Sequence, residues 1–368
     1  MVSQGFSTGR LTVDLGAIVA NWRTIAARVA PATTGAVVKA DAYGLGAARV
    51  APALARAGCR DFFVAHLVEA HALAGALPSD TRIFILNGLI PGEEAEAIAL
   101  GVIPVLNAPE QVRAWAEAAG ALGRRLPAAL QVDSGMARLG LTADEAGALA
   151  DDAALLDRID LKLVMSHLAS ADEPYDSLND AQLARFLALC GRLPPAPRSL
   201  ANSGGAFLDP GFALDLVRPG VSLYGGAAHA GGNGMATAVT LDAPVIQLRD
   251  VPSGTGIGYS HLLKSDAPMR LATVGLGYAD GWPRELTGRG SAWFGGVRLP
   301  FAGRVSMDSI ILDIGALPVG ALKVGDRVEF LGPNRPLDVV AEEARSISHE
   351  ILARLGPRLT RVYIGDTP

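Results

Sequence analysis

Between about residue 10 and residue 235, short apolar runs alternate with alanine-rich stretches of helical period. The runs TGAVVKA, DFFVA, RIFIL, GVIPVL, AALQVD, LKLVMSH, RSLANS and LDLVRPG read as buried strands bounded by turn residues. Helical patterns separate most of them, over 46–57, 93–100, 109–119 and 179–190. A further helix is predicted over 15–30, with Asp14 as its N-cap and Pro31 just past its end. Strands alternating with helices predict an α/β fold, and either a closed (β/α)8 TIM-type barrel or an open doubly wound sheet carries this periodicity. The polar residues favour the barrel. Lys39, Asp133, His167, Ser203 and Arg218 all fall at or just after the C-terminal ends of strands, which a barrel gathers at one mouth. The N-terminal domain is therefore predicted over 10–235.

The pattern changes after a Gly/Ala-rich stretch, GGAAHAGGNGMATAV, that reads as a linker. Beyond it come VTLDAPVIQLRDV, MRLATVGLG, SAWFGGVRLPFAGRVSMDSIILDI, DRVEFLG and LTRVYIG, β-rich runs punctuated by Gly, Pro and Asp. A single helix is expected over 336–353. Residues 240–368 thus predict a mostly-β C-terminal domain, with residues 1–9 as a candidate addition to it.

Half of the 368 residues are hydrophobic and 19% are charged, enough for a sizeable core. A net charge of −5 with no basic block argues against a nucleic-acid partner. Cys59 and Cys190 lie far apart and make neither a disulfide framework nor a cysteine zinc motif. A reducing cytoplasm is the simplest setting for them. No metal ligand set is read from the chain. The apolar runs are too short and too often broken by Gly and Pro to span a membrane, and no secretory signal is seen at the N-terminus.

Lysine is scarce: Lys39, Lys162, Lys264 and Lys323 are the only ones. Lys39 ends an apolar run in AVVKADAYGLGA, where burial lowers an amine's pKa and exposes a nucleophile. The structural alternative is a lysine paired with Asp41. RPG at 218–220 offers an always-charged donor, and ANSGG at 201–205 a hydroxyl with glycines suited to phosphate oxygens. MSHLASAD places His167 where it can stack on or hydrogen-bond to an aromatic ligand. Their alternatives are a surface arginine, a helix-capping serine and a satisfied core histidine. Taken together, a nucleophilic lysine, phosphate donors and groups for an aromatic ring match pyridoxal phosphate.

AVVKADAYGLGA also resembles the cofactor-attachment signature of the alanine racemases. The similarity continues through VDSGMARLG, MSHLASADE, ANSGG, LVRPGVSLYG, GYS, VGLGYADGW, GRVSMD and ISHEIL, nearly end to end. The lysine motif alone is shared with decarboxylases of the same fold; the ordered series is far more specific. The resemblance implies a barrel followed by a β-domain, interconversion of L- and D-alanine, and pyridoxal phosphate carried covalently on Lys39. It implies two bases on opposite faces of the substrate: Lys39 toward the D-enantiomer and Tyr259 toward the L-enantiomer. Tyr259 would come from the second subunit of a homodimer, with His167 supporting it as a base. Tyr43, Ser203 and the backbone of Gly220 and Val221 would hold the phosphate, and Arg218 would face the pyridine nitrogen. Arg138 and the Met307 N–H would bind the substrate carboxylate, with Tyr278 closing the entrance from the partner subunit. D-Alanine supply for peptidoglycan and alanine catabolism are both compatible roles.

Two positions depart from the family pattern. His349 stands where many relatives have a tyrosine near the phosphate, which implies a wider or different pocket and admits serine or another small amino acid as a side substrate; a purely structural substitution is the alternative. Gln131 stands where many carry a carbamylated lysine beside the substrate arginine. It supplies no negative charge, which implies weaker carboxylate positioning or a substitute anion; a glutamine that merely faces the barrel interior is the alternative. Among rival readings, the decarboxylases need a cysteine near the C-terminus, and none follows Cys190. Pyridoxal-phosphate homeostasis proteins lack the β-domain, and a nicotinamide enzyme needs a GxGxxG turn that ADAYGLGA does not supply.

Overall fold

The computed structural model describes residues 8–229 and 234–365. Most of residues 1–9 and part of the 225–239 linker therefore lie outside the described residues. The chain divides into two compact units. One is built on Ile18–Leu223; the other gathers 8–17, 224–226 and 236–365 of the described residues.

In the first unit seven strands form one parallel sheet in chain order: Ala36–Val37, Asp61–Val64, Arg82–Ile85, Ile103–Leu106, Leu126–Gln131, Ile159–Met165 and Arg198–Ser199. The eighth run, Leu216–Val217, pairs in parallel with Thr33–Thr34, immediately before the first strand. It is also bonded to the seventh strand, through Asp215 N to Arg198 O and Arg218 N to Ala201 O. The eight predicted runs thus return on themselves in a TIM-like barrel, filled by buried aromatic residues such as Phe63 and Phe84, stacked 4.8 Å apart. The helices Leu15–Val29, Ala47–Arg56, Glu94–Leu100, Pro109–Ala121 and Leu178–Cys190 occupy the predicted stretches. Asp14 does cap the first, its Oδ1 accepting from Ala17 N at 3.0 Å.

The second unit is mostly β. Val239–Val251 is its central strand and pairs with three others: Arg10–Asp14, Met269–Val274 and Arg327–Leu331. Arg10–Asp14 also pairs in parallel with Thr360–Ile364, so this opening strand belongs to the β-unit although it stands within the stretch read as barrel. The single helix expected over 336–353 is two, Leu337–Glu343 and Ser348–Ala353. Arg345 adopts φ +56° between them and Ser346 N bonds back to Ala341 O, which ends the first helix.

Candidate functional site

Lys39 follows the first barrel strand and opens an unusual turn. Ala40, Asp41, Ala42 and Tyr43 all take left-handed backbone angles, with φ between 52° and 57°. Such a run of non-glycine residues is rare and needs external support. Glu69 Oε1 accepts from Ala40 N at 2.5 Å, and Asp41 Oδ1 accepts from Ala47 N at 2.7 Å. Asp41 is thus a brace for the turn. Among the described residues the Lys39 amine makes no hydrogen bond or ion pair. Burial holds this amine below the ordinary lysine value; Arg138 lowers it further, Glu69 opposes, and Arg218 adds to the depression.

Arg218 is 3% exposed, and among the described residues no carboxylate pairs with it. It donates to Ser199 Oγ and to Ser166 O at 2.6 Å, and lies 3.4 Å from His167 Nδ1. Burial pushes its pKa down to about 9. Ser203 Oγ accepts from Gly220 N at 2.9 Å and Ser222 N at 3.4 Å, so it fixes the loop at 220–222 and does not cap a helix. Val221 opens the short turn Val221–Tyr224. A Cβ at Gly220 would collide with Tyr43 Oη, which packs the buried tyrosine directly over this backbone. Burial raises the Tyr43 pKa, so it is a hydrogen-bond donor.

Arg138 is exposed on the loop after Leu126–Gln131. Although burial works the other way, backbone N–H groups of Gly135, Met136 and Ala137 hold the Asp133 carboxyl below its ordinary value and fix this loop. Gln131 is buried at the end of the same strand. A deeper layer escaped the sequence reading. Gln182, fully buried, donates to His167 O and Ser134 Oγ and accepts from Ala169 N, tying the loops that carry His167 and Arg138.

Within the β-unit, Tyr259 is 68% exposed on the turn Tyr259–His261, anchored by buried Ile257. Gly258 lies against Gly303 and Arg304, the start of GRVSMD. Tyr278 and Met307 share a second corner: Tyr278 N donates to Ser306 O and Ala279 N to Met307 O. A Cβ at Gly277 would collide with Met307 O, so only glycine permits this approach. Buried Asp280 accepts from Gly277 N and from Arg358, which also reaches Asp308 at 2.7 Å. One arginine thus locks the Tyr278 and Met307 turns together, a long-range link with no local signal. His349 is exposed on Ser348–Ala353, whose end meets the same corner through Gly356 N and Asp280 O.

The first unit fits pyridoxal phosphate on its own geometry: an amine at a strand end, a buried tyrosine and serine around one glycine loop, and a buried guanidinium without an acid. Among the described residues no group of three or more His, Cys, Asp or Glu could hold a metal.

The alanine racemase N-terminal domain model matches residues 13–228, and the C-terminal domain model residues 238–363. Curated alanine racemase from Brucella abortus (strain 2308) is 51% identical over 370 residues, covering 97% of this chain and 93% of the relative. A catabolic alanine racemase of Mesorhizobium japonicum is 52% identical over 365 residues, covering 99% and 95%. The crystal structure of alanine racemase from Bartonella henselae with covalently bound pyridoxal phosphate superposes with a TM-score of 0.94 at 42% identity, over 97% of this chain and 99% of that one.

Proposed function

Because the chain belongs to the alanine racemase family and interconverts L- and D-alanine with pyridoxal phosphate, we propose that it does so with two bases, Lys39 and Tyr259. The observation that carries the reading is the Lys39 amine, held at a barrel strand end with its pKa depressed by burial and then by Arg138 and Arg218. The bound cofactor supplies the electron sink that acidifies the substrate Cα–H. Lys39 takes the Cα proton of D-alanine, and Tyr259 delivers a proton to the opposite face. The reverse direction exchanges these roles, and solvent restores both bases. Arg138 and the Met307 N–H orient the substrate carboxylate. Tyr43, Ser203 and the loop at Gly220 and Val221 would hold the phosphate, and Arg218, a donor with no acceptor to offer, would serve the ring nitrogen without protonating it.

An unperturbed phenol titrates at about 10, so a tyrosine that accepts a proton at neutral pH needs neighbouring donors. The Arg218–His167 contact supports His167 in that part. The exposure of Tyr259, Leu262, Tyr278 and Met307 supports a homodimer in which a second copy covers this face and Tyr259 completes its partner's site. His349 and Gln131 support a pocket open enough for L-serine as a slower substrate. Two unpaired cysteines support a reducing, cytoplasmic setting; among the described residues no helix is long and apolar enough to cross a membrane.

Incubation of the holoenzyme with L-alanine, and in parallel L-serine, in deuterated water tests the reading. D-Alanine carrying Cα deuterium is expected, with serine turning over more slowly, and both activities are lost in Lys39→Ala and severely reduced in Tyr259→Phe. Cofactor absorbance without exchange on either substrate contradicts it.

A further inference from the structure

We propose that Glu69 is a positioning residue for Lys39, clamping the backbone on which the lysine stands; the inference rests on Lys39 being one of the two bases. Glu69 lies in the first turn of Leu67–Ala74, the helix after the second barrel strand, and that strand pairs with the one leading into Lys39. Its carboxylate is shared between two loops. Oε1 accepts from Ala40 N at 2.5 Å, while Oε2 accepts from Ala65 N at 2.6 Å and His66 N at 3.1 Å. The residue after Lys39 is thereby fastened to the end of the neighbouring strand.

The fastening falls at a place that needs it. Ala40 begins the four-residue left-handed run, and L-residues leave that conformation unless held. Asp41 braces the far side through Ala47 N, but Glu69 alone holds the first N–H. Released at this point, the turn relaxes and the amine loses its aim at the substrate Cα. Among the described residues the same carboxylate is the one acidic group acting on the Lys39 amine against Arg138 and Arg218, so its loss alters the base both in place and in charge environment. Neither effect reaches Tyr259 chemistry directly, and that asymmetry makes the proposal testable.

Deuterium at Cα of D-alanine reports the Lys39 step, and deuterium at Cα of L-alanine reports the Tyr259 step. In Glu69→Ala holoenzyme, kcat/KM is expected to fall by about tenfold or more, as misaimed catalytic groups do. The fall is equal in both directions, because the two enantiomers have the same free energy. The isotope effect on D-alanine rises toward its limit while that on L-alanine declines. Glu69→Gln keeps one acceptor oxygen, enough for one of the two loops but not both, and shows the same asymmetry with a smaller loss. Tyr259→Phe is the reference and shifts the two isotope effects the opposite way. If it does so while both Glu69 variants, at the thermal stability of the parent, change the two isotope effects together or not at all, Glu69 is only scaffold and the proposal is overturned. If Tyr259→Phe itself produces no opposite shift, the two-base reading fails first.

Discussion

Lys39 and Arg218 are both bases held in surroundings that disfavour their charged forms, one at the rim of the barrel interior and one inside it. For Lys39 the folded pKa lies below the unfolded value, so protonation is penalised at any pH below the folded pKa. That penalty shrinks as pH rises above the folded pKa and is gone once the unfolded amine also loses its proton. Lys39→Met apoprotein is accordingly expected to unfold at higher urea concentration than the parent at neutral pH, the gap closing under alkaline conditions. Urea midpoints across a pH series measure this, and a gap that widens with pH contradicts it. These residues were legible in the sequence because their types are costly to bury and they stand at strand ends. Glu69 and Gln182 were not. An acid in a helix's first turn and a glutamine on a helical face are the commonest of residues, and only the backbone groups they meet distinguish them. Of the alternatives weighed for single residues, the Lys39–Asp41 pair and the capping serine give way to contacts with backbone N–H groups.

Secondary structure shows a similar division. Periodicity located the barrel strands and their helices, since each buries one apolar face. It did not anticipate the left-handed turn of Ala40–Tyr43, where no glycine marks the change of hand. Nor did it anticipate the break at Arg345, an ordinary helix former placed at φ +56°. Ala40 bears the conformational cost directly: a left-handed alanine is disfavoured by roughly 1–2 kcal/mol. Ala40→Gly removes that cost against a loss of backbone restriction, and a net stabilisation of about 1 kcal/mol is expected. Chemical denaturation reads it. Destabilisation of similar size would mean that the native backbone at this position is not left-handed. The opening strand Arg10–Asp14 is a further limit of local reading, because its partners, 239–251 and 360–364, are distant in sequence.

At the scale of the whole molecule, the two proposed bases belong to different compact units, Lys39 to the barrel and Tyr259 to the β-unit. The β-unit presents Tyr259 on an exposed turn whose Gly258 lies against Gly303 and Arg304, while the Asp280–Arg358–Asp308 link locks the Tyr278 and Met307 turns together. Nothing in the local sequence announces that link. A site shared between two copies makes a quantitative demand on mixtures of defective chains. Lys39→Ala and Tyr259→Phe, each purified, are mixed under conditions that exchange subunits, and racemisation of L-alanine is followed. With the bases on different copies, every mixed dimer contains one site with both residues intact. Random exchange then restores about a quarter of the parental specific activity. A mixture no more active than the average of its parents would place both bases in one chain, or remove one of them from the reaction.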